Sequence, residues 1–109
     1  MADTLGAFEQ AVLLAVHRLG KDAYGRAILI EVQAHLQRKI VAGAIYATLD
    51  RLERKALISS HLGSGTAARG GRARRYYSLE DAGLRALNES RAALERLWFG
   101  FKWPLKGGA

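Results

Sequence analysis

Cysteine is absent from the 109-residue chain, which excludes disulfides, thiolate metal sites and a cysteine nucleophile. Proline occurs once, at Pro104, so no earlier helix is broken by a missing donor. The longest strictly apolar run is AVLLAV, residues 11–16, far short of the ~20 that a membrane span needs. The opening MADTLGAFEQ has no basic stretch leading into an apolar one. The expected location is therefore the cytoplasm, with no membrane partner. Acidic residues are missing from one long segment: between Arg54 and Leu79 there is none.

That gap organises the charge. Lys and Arg number 17 against 10 Asp and Glu, a net charge of +7. Arg54, Lys55, Arg69, Arg72, Arg74 and Arg75 all lie in the acid-free segment. A basic stretch of this kind suits a polyanion such as nucleic acid, although a solvated basic loop has the same composition. Enzyme chemistry finds little support. His17, His35 and His61 are scattered without metal spacing, so no catalytic residue, metal ligand or cofactor is expected. The Gly-rich GSGTAARG at 63–70 precedes a strand and lacks Gly-Lys-Ser/Thr, unlike a nucleotide loop.

The length fits one domain, and hydrophobic periodicity divides it into elements. Phe8, Val12, Ala15, Val16 and Leu19 recur at helical spacing over 5–19, with Gly20 as the stop and Asp3 or Thr4 as the cap. Ile28, Val32 and Leu36 mark a second helix over 24–36. RKIV at 38–41 reads as a turn or a minimal strand. Ile45, Leu49, Leu52 and Ala56 mark the buried stripe of a third helix. The period then changes. LISSHL at 57–62 and RRYYSL at 74–79 read as two strands, the first with Ile58, Ser60 and Leu62 on one face, around the flexible basic loop GSGTAARGGR. A fourth helix of about twenty residues begins near Glu80, with Ser78 and Asp81 as a capping box.

The predicted fold is mainly α with a β-hairpin: a winged helix-turn-helix over 1–79, then a dimerisation helix and aromatic tail over 80–109. In that fold the third helix enters the major groove and the hairpin follows the backbone. The outward stripe of helix three holds Gly43, Tyr46, Ala47, Asp50 and Arg51. Gly43 and Ala47 permit close approach; Tyr46 offers a ring and a hydroxyl to DNA, or is a scaffold aromatic. Asp50 is awkward beside DNA and could pair with Arg51 or Arg54. In the wing, Arg69 and Arg72 flank Gly70 and Gly71 and suit phosphates or a narrow minor groove. Arg74 and Arg75 enter the strand, where one could fix the hairpin instead of touching DNA.

Leu84, Leu87, Leu94, Leu97, Trp98 and Phe101 give helix four apolar surface that a small domain cannot cover alone, so dimerisation is expected. Trp98, Phe99, Phe101 and Trp103 are four of the nine aromatics. They suit packing on a partner, docking on a membrane surface, or a pocket in which Trp98 and Trp103 stack a planar hydrophobic small molecule. A winged-helix protein-interaction module without specific DNA binding remains the alternative from a different class.

GAIYATLDRLERKALI at 43–58, followed by GGRARRYYSLEDAGLRAL at 70–87, resembles the PadR family of bacterial transcriptional regulators. LLAVHRLGKDAYGRAI is similar to the family's opening, where a Tyr-Gly pair starts the second helix. The short C-terminus resembles the compact subgroup with a single dimerisation helix. The resemblance implies a homodimer that binds a palindromic operator in double-stranded DNA and usually represses. Five positions depart from the pattern. Val41, Ala42 and Ala44 stand where members place Ser or Thr, Ala56 replaces a glycine, and Glu80 replaces a threonine.

Overall fold

The computed structural model describes residues 5–63 and 73–102. The order is α1 (Ala7–Leu19), a 3-10 turn (Gly20–Asp22), α2 (Gly25–Leu36), α3 (Ala42–Arg54), β1 (Ile58–Leu62), β2 (Arg75–Leu79) and α4 (Asp81–Trp98). This is the winged helix-turn-helix arrangement expected. Its core is built from α1, α2, α3 and β1, where Leu13, Ile28, Ile45, Leu49, Leu52 and Ile58 are fully buried. Burying each such side chain favours the fold by roughly 1.5–3 kcal/mol.

Several helix ends differ from expectation. Asp3 and Thr4 lie outside the described residues, and α1 is instead capped at Gly6, whose N–H donates to Glu9 Oε1 at 3.1 Å. Gly20 does end the helix, at φ 58°. RKIV forms no strand; it is irregular backbone after a turn at Gln37, fastened where Ile40 N–H donates to Gln33 Oε1 at 2.9 Å. At α4 the cap is Glu80, without a side-chain bond, so the Ser78–Asp81 box does not form. Ser78 is committed to β2, where it pairs with Ser59.

Ala56 is not part of the α3 stripe. It follows the helix at φ 63°, where its N–H donates to Glu53 O and the Leu57 N–H donates to Leu52 O. These two bonds make a Schellman motif, whose left-handed position favours glycine. The motif turns the chain into β1. β1 and β2 pair antiparallel from Ile58↔Leu79 to Leu62↔Arg75. Alternation keeps Ile58, Ser60 and Leu62 on one face, but only Ile58 is buried there; Leu62, at the far end of the hairpin, is 61% exposed. The hairpin is tied to the segment before α2 by Tyr77 N–H donating to Ala23 O at 2.8 Å and by a Tyr24↔Tyr76 bridge.

α4 has two halves. Gly83 is buried against the Leu57 carbonyl and the Leu79 side chain, so close that a Cβ would collide with both. Ala86 and Leu87 pack partly on the core, and Ser90 is buried. Beyond Ser90 no residue of the helix is buried.

Candidate nucleic-acid interface

Helical geometry sorts α3 into three faces. Ile45, Thr48, Leu49 and Leu52 face the core. Gly43, Ala47, Asp50 and Arg54 follow one another at steps of four, three and four and form an exposed row opposite it. Arg54, expected as a possible partner of Asp50, continues that row by one more turn. Asp50 is neutralised by it: Arg54 Nη1 donates to Asp50 Oδ2 at 2.9 Å.

The flanks of α3 are tethered on both sides. Arg51, expected to face outward, turns toward α1: its Nε donates to Glu9 Oε2 at 3.2 Å, and Nη2 donates to Thr48 Oγ1 at 3.3 Å. Lys55 Nζ meets the same Glu9 oxygen at 3.0 Å. Burial pushes the Glu9 carboxyl up, but the Gly6 N–H, Lys55 and Arg51 together hold it below the usual carboxylate range. The sequence pattern gave no hint of this junction, because its members lie more than forty positions apart.

On the other flank Tyr46 is half exposed and its ring lies over Gly25 at the start of α2. Only glycine leaves room there, since a Cβ would coincide with the phenol. Arg74, which precedes β2, and Arg75, which opens it, are both anchored. Arg74 stacks on the Tyr24 ring, 3.8 Å from its centroid. Arg75 Nη1 donates to Ser60 Oγ at 2.9 Å, and that hydroxyl donates to Glu53 Oε2 at 2.7 Å. Tyr24 and His61 both pack on Tyr76, the first edge-on and the second stacked. Arg69 and Arg72, the expected wing contacts, lie outside the described residues.

A second surface is apolar. Leu84, Leu94, Leu97, Trp98 and Phe101 are all exposed, Leu97 at 80%, while Leu87 packs partly on the core. Between α1 and α4 a groove of about 570 Å³ is lined by Leu14, His17, Leu84, Leu94 and Trp98. Trp98 meets Phe101 edge-to-face, with ring centroids 5.0 Å apart. Trp103 lies outside the described residues. Among the described residues no helix is long and apolar enough to cross a membrane, and no group of three His, Cys, Asp or Glu could hold a metal.

Comparison with known proteins agrees with this architecture. No curated protein matches the sequence. A PadR-like transcription factor from Bacteroides fragilis is 28% identical, with a TM-score of 0.68 over 83% of this chain and 82% of that one. A PadR family transcriptional regulator from Eggerthella lenta is 32% identical, with a TM-score of 0.63 over 82% of this chain and 75% of that one. A PadR-like transcriptional regulator from Bacillus cereus shares the fold at 24% identity, with a TM-score of 0.64 over 88% and 95% of the two chains. Residues 12–89 match the sequence pattern of the PadR-like family of transcriptional regulators. With most of its length inside that match, the chain belongs to the PadR-like family of transcriptional regulators.

Proposed function

We propose that the protein is a homodimeric, sequence-specific repressor that occupies a two-fold-symmetric operator. The observation that carries this reading is the exposed α3 row, Gly43, Ala47, Asp50 and Arg54, set beside a basic hairpin. Small residues at Gly43 and Ala47 let the helix backbone approach base edges, while the loop arginines Arg69 and Arg72 supply phosphate contacts. Arg51, Arg74 and Arg75 act mainly by holding α3 and the hairpin in place, as their partners Glu9, Tyr24 and Ser60 suggest.

The exposed apolar side of α4 supports dimerisation, since contiguous apolar surface on a soluble chain is usually covered by a partner. Through Leu84, Leu94, Leu97, Trp98 and Phe101 it would pair with a second copy, placing two recognition helices about one turn of DNA apart, ~34 Å. The groove beside Trp98 is the candidate place for a planar hydrophobic ligand that relieves repression, and the protein would work in the cytoplasm.

Mobility shift and footprinting on DNA upstream of the protein's own gene, with excess nonspecific competitor at two salt concentrations, test this reading. A protected symmetric site is expected, with log affinity falling at about −0.9 per neutralised phosphate. Replacing Arg69 and Arg72 with alanine should reduce that slope. A stable protein partner with no footprint at moderate salt would select the interaction module instead.

A further inference from the structure

At the N-terminal turn of α2 three backbone donors have no acceptor among the described residues: the N–H groups of Gly25, Arg26 and Ala27. The first bond of the helix runs from Ile28 N–H to Tyr24 O, 2.9 Å, and Tyr24 provides no side-chain cap. With 12 residues aligned behind it, this end carries the positive pole of the helix dipole. Such an end alone would attract any anion weakly.

Tyr77 makes it a built site. The residue is 8% exposed, yet among the described residues its hydroxyl has no hydrogen-bond partner. Every fully enclosed side-chain polar atom among the described residues has a partner, so this hydroxyl keeps access to solvent, and Tyr77 lines the adjoining cleft. The cleft, about 270 Å³, is lined by Gly25, Arg26, Tyr46, Arg74, Arg75 and Tyr77. Across it the Tyr46 phenol lies over Gly25. Burial raises the Tyr77 phenol above its ordinary range against the pull of Arg75, so it stays protonated and able to donate at neutral pH. The nearby carboxylates are already engaged, Asp50 by Arg54 and Glu53 by Ser60. Arg74 is stacked on Tyr24 and Arg75 is bonded to Ser60, which leaves Arg26 as the lining cation without a side-chain partner among the described residues.

We propose that this cleft binds one phosphate of the DNA backbone in each half-site. The phosphate accepts from the α2 N–H groups and from the Tyr46 and Tyr77 hydroxyls, while Arg26 neutralises its charge. The inference rests on the DNA-binding reading above and deepens it: Tyr46 serves the backbone rather than a base, so it contributes affinity and register but not sequence choice.

The test uses the full chain and duplex DNA selected from a random pool by the wild-type protein. Ethylation interference and salt titration are applied to wild type, to a Y46F/Y77F double variant and to R26Q. Both phenylalanine substitutions keep the rings, and unchanged melting curves verify the fold. In the wild type, ethylation of one phosphate per half-site should block binding. The double variant should bind selected and random duplexes about tenfold more weakly or worse, with base preference intact, and should lose sensitivity to that phosphate. R26Q should lower the salt slope by about 0.9 per half-site. An ethylation map identical in wild type and double variant would overturn the phosphate site while leaving the DNA-binding reading in place. So would a changed base preference. If the wild type selects no duplex at all, both readings fall together.

Discussion

The face built by α3 and the hairpin and the face presented by α4 differ in how much of their chemistry is completed within one chain. On the first, charged groups already have intramolecular partners: Arg54 with Asp50, Arg51 and Lys55 with Glu9, Arg75 with Ser60, Arg74 with the Tyr24 ring. On the second, Leu84, Leu94, Leu97, Trp98 and Phe101 stand uncovered. Pre-paired polar groups fix a shape before any ligand arrives, whereas an uncovered apolar face acquires its geometry from what packs on it. One side of the molecule is therefore held by its own contacts, and the other presents apolar surface that the single chain leaves uncovered.

The strongest way to break this contrast is to charge the open side. Leu94→Glu together with Leu97→Glu should yield a folded monomer by sedimentation. Operator affinity should fall by about 100-fold or more, because two half-sites would no longer be engaged by one molecule. A smaller effect is expected where the two sides join. Gly83→Ala drives a Cβ into the Leu57 carbonyl, and the melting temperature should drop in keeping with a loss of about 2 kcal/mol.

The closed side can be probed through Glu9. Its carboxyl is depressed in the folded protein, so its contribution to stability is complete above the ordinary glutamate value of about 4.3 and is lost as pH falls through the lower folded value. Glu9→Gln should flatten that acid limb in thermal melts and lower stability at neutral pH by about 1–3 kcal/mol. The smallest change has the opposite sign. Ala56→Gly relieves a left-handed alanine at the end of α3 and should raise stability by about 1 kcal/mol, visible in denaturant titration with an unchanged slope.

Much of the fold was legible because its elements are short and strongly periodic. The rows Val12–Val16, Ile28–Val32 and Ile45–Leu49–Leu52 are local patterns, and all of these residues are buried. Element ends were less legible. The α3 stripe was carried one turn too far, to Ala56, because an alanine in a Schellman position looks like any other helical alanine; the family's glycine there has a physical reason that this chain forgoes. Ser78 looked like a cap, but strand pairing claimed it. The candidate interface was legible only in part. Exposure along α3 follows from helical period, so Gly43, Tyr46 and Ala47 could be named. The side-chain partnerships that redirect Arg51, Arg74 and Arg75 join residues far apart in sequence or across strands, and no local spacing reports them. Tyr77 and Arg26 were missed for the same reason: their shared cleft exists only after α2, α3 and β2 have come together.

Under the proposed dimer, Gly83 also bears on the DNA. Because α4 crosses the Leu57 carbonyl with no side chain in between, the angle at which it leaves the core is set by backbone touching backbone. In a two-fold assembly through α4, that angle acts as a ruler for the span between the paired α3 helices. The number of base pairs separating the halves of an operator would then be encoded by a residue that never approaches DNA. A relative with a bulkier side chain at this position would read similar half-sites at a different separation.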